Sequence, residues 1–176
     1  RVLKRMNRQS DGESIRKTIQ HIRKEIPDVI LRTTVMVGFP GETEEDFKEL
    51  YQFLQEAKFD KLGAFTYSKE ENTPASRMKE QIHPMTKKSR YRKLMELQQK
   101  IAEEKVQEKI GRNVEVLVEG MTQDKKYVIG RTYMDVPEID GVIYVKNPTK
   151  EDEQRKWITC QITQAKGYDM IGKKVE

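Results

Sequence analysis

Thr33-Thr-Val-Met-Val-Gly-Phe-Pro-Gly-Glu-Thr43 is the stretch on which the fold turns. It closes a nearly continuous apolar run that begins at Val29 and is rich in β-branched residues, which reads as a strand covered on both faces. Gly38-Phe-Pro-Gly41 breaks that strand. Thr43 follows as a helix N-cap, with Asp46 in the capping-box position. Phe47, Leu50, Tyr51 and Leu54 then fall on one helical face, which carries the helix to about Ala57. Upstream, Ile15, Ile19, Ile22 and Ile26 mark an earlier helix that Pro27 stops. Downstream, Leu62 to Tyr67 reads as a second strand, and a loop runs from Ser68 to Pro84. A long helix covers about Thr86 to Ile110, with Tyr91, Leu94, Met95, Ile101, Ala102, Val106 and Ile110 as its buried stripe. Helix, strand, helix, strand, helix in this order describes βα units on a parallel sheet.

Past Gly111 the period drops to two. Val114, Val116 and Val118 alternate with polar neighbours, as do Ile158, Cys160 and Ile162. Turn signals near Gly120, Asp140-Gly141, Asn147-Pro148 and Lys166-Gly167 separate about five strands, the pattern of a small antiparallel barrel. The fold class is thus α/β plus all-β. Residues 1–111 form a portion of a parallel α/β structure, and residues 112–176 form the small barrel.

Two parallel strands make neither a closed barrel nor a covered sheet, and their edges stay open to pairing. The first domain therefore reads as incomplete. Its missing strands belong to a region outside this chain or to a second copy, so self-association through the strand edges is expected. The opening Arg1-Val-Leu-Lys-Arg-Met-Asn-Arg8 has no initiator methionine and reads as a basic segment already under way, cut from something longer.

The net charge of +5 lies wholly in residues 1–111, with 23 Lys/Arg against 18 Asp/Glu. Residues 112–176 carry 11 of each. An uncharged barrel favours a protein partner over RNA, because nucleic-acid grooves are basic. The lone Cys160 excludes an internal disulfide and any cysteine-only metal site, and it fits a reducing cytoplasm. No apolar run approaches the roughly 18 residues of a membrane span, and no signal-peptide pattern opens the chain.

The Gly38–Phe47 segment sits where ligands gather on parallel sheets, at a strand's carboxyl end. A phosphate grip fails on charge: Glu42, Glu44, Glu45 and Asp46 would repel the anion, and no P-loop lysine follows. Those acids instead suit the positive end of the helix dipole. The segment stays open between a structural turn and a ligand-facing edge. Tyr67 reads equally as a stacking or hydrogen-bonding group and as a packed rim tyrosine. His21 and His83 have no partner at metal-ligand spacing, and Cys160 reads as a small core residue, so neither a catalytic set nor a metal site is evident. In the barrel, Gly130-Arg-Thr-Tyr-Met-Asp-Val-Pro-Glu-Ile-Asp-Gly141 is the least generic stretch. It offers Arg131, Tyr133, Asp135, Glu138 and Asp140 either to a protein partner or simply to solvent.

At these residues the chain resembles the radical S-adenosylmethionine (SAM) methylthiotransferases. Leu3 to Arg8, Thr33 to Thr43, and Phe65-Thr-Tyr-Ser68 with Thr73-Pro-Ala75 are similar to the last third of that family's partial (β/α) barrel. Residues 112–176 resemble its C-terminal TRAM domain, a small OB-like barrel. Gly130-Arg-Thr-Tyr133 and Pro137-Glu-Ile-Asp-Gly141 resemble the branch that modifies an aspartate of small-subunit ribosomal protein S-twelve, rather than the sister branch that acts on tRNA. The resemblance implies a mechanism using SAM and two [4Fe–4S] clusters. Here it departs from the family, because the Cys-x-x-x-Cys-x-x-Cys motif is absent, so this chain alone is expected to be inactive. It implies a share of the SAM cradle at Thr34, Met36 and Gly38 and at Phe65, Thr66 and Tyr67. Substrate docking falls to Arg131, Tyr133, Asp135, Glu138 and Asp140. Two alternatives stay open: a part of the tRNA-modifying relative, and a free-standing, non-catalytic binding module.

Overall fold

A computed structural model describes residues 1–149, 151–152 and 156–175. The chain falls into two compact units, Arg1–Ile101 and Ala102–Glu176. This division lies inside the helix Pro84–Gln107.

The first unit opens with a single helical turn, α1 (Val2–Arg5), followed by α2 (Gly12–Glu25), β1 (Arg32–Val37), α3 (Glu44–Ala57) and β2 (Lys61–Thr66). A short 3-10 turn (Ala75–Arg77) leads to α4 (Pro84–Gln107). The expected βα order is present, and β1 and β2 form a two-stranded parallel sheet that pairs Thr34 with Gly63 and Met36 with Phe65. One face of this sheet is packed. Val37, at 0% exposure, joins Leu54, Leu94 and Ile101 in a core that Val35, Leu62 and Ile19 extend. Leu54 and Leu94 are almost wholly buried, and truncating such a leucine costs about 2–5 kcal/mol.

Two sequence expectations need correction here. Strand β1 is not covered on both faces: Arg32, Thr34 and Met36 are exposed while Val37 is buried. The apolar run hid this, because Met36 is apolar yet stands on the open face. The stripe of α4 is also drawn differently at its edges: Leu94, Ile101 and Ala102 are buried as expected, but Tyr91 is exposed, and Arg90 and Gln98 join the buried side. Both reach internal partners, Arg90 through its Nη atoms to Glu42 and Glu44, and Gln98 by donating to Phe59 O at 3.1 Å. A hydrophobic stripe counted by residue type passes over such positions.

In the second unit, β3 (Asn113–Met121), β4 (Tyr127–Arg131), β5 (Ile143–Lys146), β6 (Trp157–Lys166) and β7 (Asp169–Lys174) close a barrel in the order β3-β4-β5-β7-β6. The pairing is antiparallel except where β5 meets β7 in parallel. That single pair corrects the expectation of a purely antiparallel barrel, and it is the pair that closes the cylinder without an open edge. Irregularities at Val118/Gly120 and Ile162/Gln164 bend the two longest strands, as bulges do. Val116, Val128, Ile143, Val145, Cys160 and Ile162 fill the interior at 0–1% exposure. Cys160 is the core residue its alternation suggested, and burial pushes its thiol up to about 11.

The cap of α3 matches its sequence signature. Asp46 N–H donates to Thr43 Oγ1 at 3.2 Å, and Thr43 N–H donates to Asp46 Oδ2 at 2.7 Å. Burial opposes ionisation of Asp46, but the Arg1 guanidinium and the Thr43 amide and hydroxyl outweigh it and hold the carboxyl down to about 2. A carboxyl lowered by folding adds stability above its unfolded value near ~4 and loses it as pH falls through the folded value. Arg1 is half exposed, so solvent screens the share of the effect that comes from the ion pair. Asp46→Ala should lower stability at neutral pH by about 1–2 kcal/mol. It should also remove part of the loss seen between about pH 4 and pH 2. Urea unfolding across that range measures both.

Candidate functional site

The carboxyl ends of β1 and β2 lie side by side, and the chain leaves both through short, tightly held segments. After β1, Gly38 has φ +75° and Gly41 has φ +81°, a backbone region that favours glycine. Space is short at both positions. A Cβ on Gly38 would stand 2.4 Å from Lys87 Cγ, and one on Gly41 would stand 2.6 Å from the Arg5 guanidinium.

Polar contacts pin this loop on every side. Gly38 N–H donates to Glu42 Oε2 at 2.9 Å, and Arg90 Nη1 reaches Glu42 Oε1 at 2.6 Å. Arg5 donates to Pro40 O at 3.1 Å and pairs with Glu80 at 2.5 Å, while Gly41 N–H donates to Glu80 O. Glu42 and Arg90 keep only 4% and 7% of their side chains exposed. Glu42 is thus a buried brace rather than one more surface acid at the helix start, whereas Glu44 and Glu45 are exposed in the first turn of α3. Sequence reasoning missed the Arg90 partner. The signal was present: Arg90, Leu94, Leu97 and Ile101 are spaced four, three and four, which places the arginine on the buried stripe.

Among the residues expected to line a cofactor, Thr34, Met36 and Phe65 share the open face of the sheet. Met36 is 41% and Phe65 is 60% exposed, and the two are register partners. Gly63 lies beside Thr34 on the same face, with its Cβ position 3.4 Å from the threonine hydroxyl. Thr66 has the opposite parity and is exposed at the strand end. Gly38 is buried beneath the stem of Lys87. Tyr67 is buried too, its ring edge-on to Phe39 at 5.4 Å and its hydroxyl without a hydrogen-bond partner.

An apolar shelf beside a hydroxyl, a glycine and an unpartnered buried phenol suits a nucleoside-like ligand with both flat and polar parts. Those residues fit SAM. An iron–sulfur cluster does not fit this chain: Cys160 is its one cysteine and is buried in the barrel, whereas such clusters are held by several thiolates. Among the described residues no group of His, Cys, Asp and Glu could hold a metal ion, and no helix is long and apolar enough to cross a membrane.

In the second unit, the loop between β4 and β5 carries the other candidate residues. Arg131 pairs with Glu119. Asp135 is buried and accepts from Thr132 Oγ1 at 2.7 Å, and Asp140 accepts from Val136 N–H at 2.8 Å. These three hold the loop and the strand leading into it. Tyr133 (64% exposed) and Glu138 project to solvent, and Val136 and Ile139 join them on the surface. The two aliphatic residues were missed from sequence, where they stood among acids in a loop.

Comparison with known proteins fits this architecture. The model of the radical SAM superfamily matches residues 1–54, and that of the TRAM domain matches residues 110–175. The chain thus resembles a radical SAM segment followed by a TRAM domain. Its relatives narrow the class further. It is 61% identical over 171 residues to "Ribosomal protein uS12 methylthiotransferase RimO" of Alkaliphilus oremlandii (strain OhILAs), covering 97% of this chain and 39% of the relative. Proteins of the same name from Clostridioides difficile (strain 630) and Thermotoga sp. (strain RQ2) are 49% and 42% identical, over 97% and 98% of this chain and 38% and 39% of theirs. The chain is thus similar to proteins of that name along nearly its whole length, and it spans about two fifths of their length.

The Glu42–Arg90 pair yields a direct test. Removing one member of a buried ion pair strands the other, so Arg90→Ala should destabilise the protein by about 3–5 kcal/mol. Adding Glu42→Ala should restore part of that loss, since no charge is then left unpaired. Denaturant midpoints of the two single variants and the double variant measure the coupling.

Proposed function

We propose that this chain is the C-terminal part of a cytoplasmic radical SAM methylthiotransferase that adds a methylthio group to an aspartate of ribosomal protein uS12. The observation that carries the reading is the 61% identity across 97% of the chain. In the whole enzyme, SAM and two [4Fe–4S] clusters supply the radical, the sulfur and the methyl group, and the cluster thiolates come from outside this chain.

The residues of this chain bind and orient. Met36 and Phe65 offer the flat part of the cofactor an apolar surface, and Thr34 and Tyr67 offer it hydroxyls. Gly63 leaves room on the same face, and the braced Gly38–Thr43 loop keeps the rim in one shape. Apolar residues at the strand ends also keep water from the reacting centre. The TRAM barrel docks the substrate protein. Tyr133, Val136 and Ile139 form the contact surface, with the exposed Glu138 beside them. Arg131, Asp135 and Asp140 keep that loop in shape. The barrel's balanced charge supports a protein substrate over tRNA.

The full-length protein, reconstituted with clusters under anaerobic conditions, should add one methylthio group to uS12 and leave tRNA unmodified. Modified tRNA with untouched uS12 would favour the sister reaction. Tyr133→Ala and Ile139→Asp should each weaken uS12 binding about tenfold, as expected for exposed anchors of an interface. The affinity should change little between low and moderate salt, because a steep loss would signal phosphate contacts instead.

The open edges of the two-stranded sheet support self-association of the isolated chain. Light scattering over a concentration series should show a mass that rises above the monomer. A constant monomer mass would contradict it.

A further inference from the structure

Lys87 stands in the first turns of α4, within a run of bases that reads from sequence as an ordinary solvated helix face. Its contacts are unlike those of a solvated lysine. Lys87 Nζ donates to Tyr67 O at 2.8 Å and stands 4.8 Å from the centroid of the Tyr67 ring. Its stem occupies the space where a side chain on Gly38 would lie, 2.4 Å from that Cβ position. One lysine thus touches the first residue beyond β1 and the first beyond β2. Between these two, Tyr67 N–H extends the strand ladder by donating to Val37 O at 2.8 Å.

Phe39 holds Tyr67 as well. Phe39 meets its ring edge-on, and the side chain is buried to 8% exposure. Its hydroxyl, however, has no partner. Among the described residues, Tyr67 Oη and Arg90 Nε are the buried side-chain polar atoms in that position. Arg90 is otherwise satisfied by Glu42 and Glu44, so the tyrosine is the one whose only polar side-chain group stands unused. Native proteins rarely leave such a group unpaired without a use for it.

We propose that Lys87 is a positioning residue: it holds the ring and carbonyl of Tyr67 so that the Tyr67 hydroxyl hydrogen-bonds a polar group of SAM at the carboxyl ends of β1 and β2. This rests on the cofactor reading above and adds a residue that the reading does not contain. The cation over the ring and the bond to the carbonyl act together, because both restrain the same tyrosine. Lys87 itself touches no ligand; it acts through Tyr67.

The test uses the full-length protein, with SAM binding measured by anaerobic equilibrium dialysis in the absence of reductant, and with melting temperature measured without ligand. Tyr67→Phe removes a hydroxyl that has no partner in the free protein, so its melting temperature should hold or rise. Its affinity for SAM should fall about three- to tenfold, the worth of one hydrogen bond. Lys87→Met keeps the stem and loses the charge, and it should weaken binding by a similar factor. Lys87→Arg should recover most of the affinity. The double variant Tyr67→Phe/Lys87→Met should bind no more weakly than the worse single variant, since both changes remove the same contact. Wild-type affinity in Tyr67→Phe, or losses that multiply in the double variant, would overturn the role of Lys87 while leaving the cofactor reading intact. A wild-type protein that fails to bind SAM would overturn both.

Discussion

A parallel pair of strands can cover one face with the helices that connect it, but two strands cannot cover the other. In this chain α2, α3 and α4 supply the packed face through Ile19, Leu54, Leu94 and Ile101. The opposite face carries Thr34, Met36 and Phe65 in the open. Apolar side chains on an uncovered sheet face need an occupant. The functional account follows from that geometry, because the same face leads to the carboxyl strand ends where parallel α/β structures seat their ligands.

The strand ends are built to hold one shape. Glu42 accepts from the Gly38 amide and is itself held by Arg90, so a buried charge pair fixes the turn that ends β1. A buried pair of this kind adds little net stability, yet it specifies geometry by making every alternative costly. The exit from β2 is set by Lys87 and Phe39 around Tyr67. Loop and rim are therefore braced by contacts within the chain, the arrangement that lowers the ordering cost of binding.

Much of this was legible in the sequence. The capping box at Thr43 and Asp46 announced itself because capping chemistry is local, and the two-residue alternation around Cys160 gave the barrel core for the same reason. What stayed hidden depends on partners distant in sequence. The parity of β1 could not be read from Val35-Met-Val37, where every residue is apolar. Only the packing of Val35 and Val37 shows which side Met36 takes. The full width of the α4 stripe was obscured because Arg90 and Gln98 are polar by type and buried by position, each matched to a partner in a loop distant in sequence. The parallel β5–β7 closure depends on strand order, which no local pattern encodes. In the loop between β4 and β5, the acids drew attention, although Asp135 and Asp140 turn inward to hold backbone and hydroxyl groups while Val136 and Ile139 face out.

Methionine oxidation reads the open face most directly. Met36 is 41% exposed on that face, and Met85, at 67%, lies at the start of α4 and serves as an internal reference. The full-length protein would be exposed to brief oxidation with and without SAM, and sulfoxide at each methionine would be measured by peptide mass. Protection of Met36 by SAM with Met85 unchanged is the result this account predicts. Equal oxidation of Met36 in both samples, at saturating ligand, would contradict it.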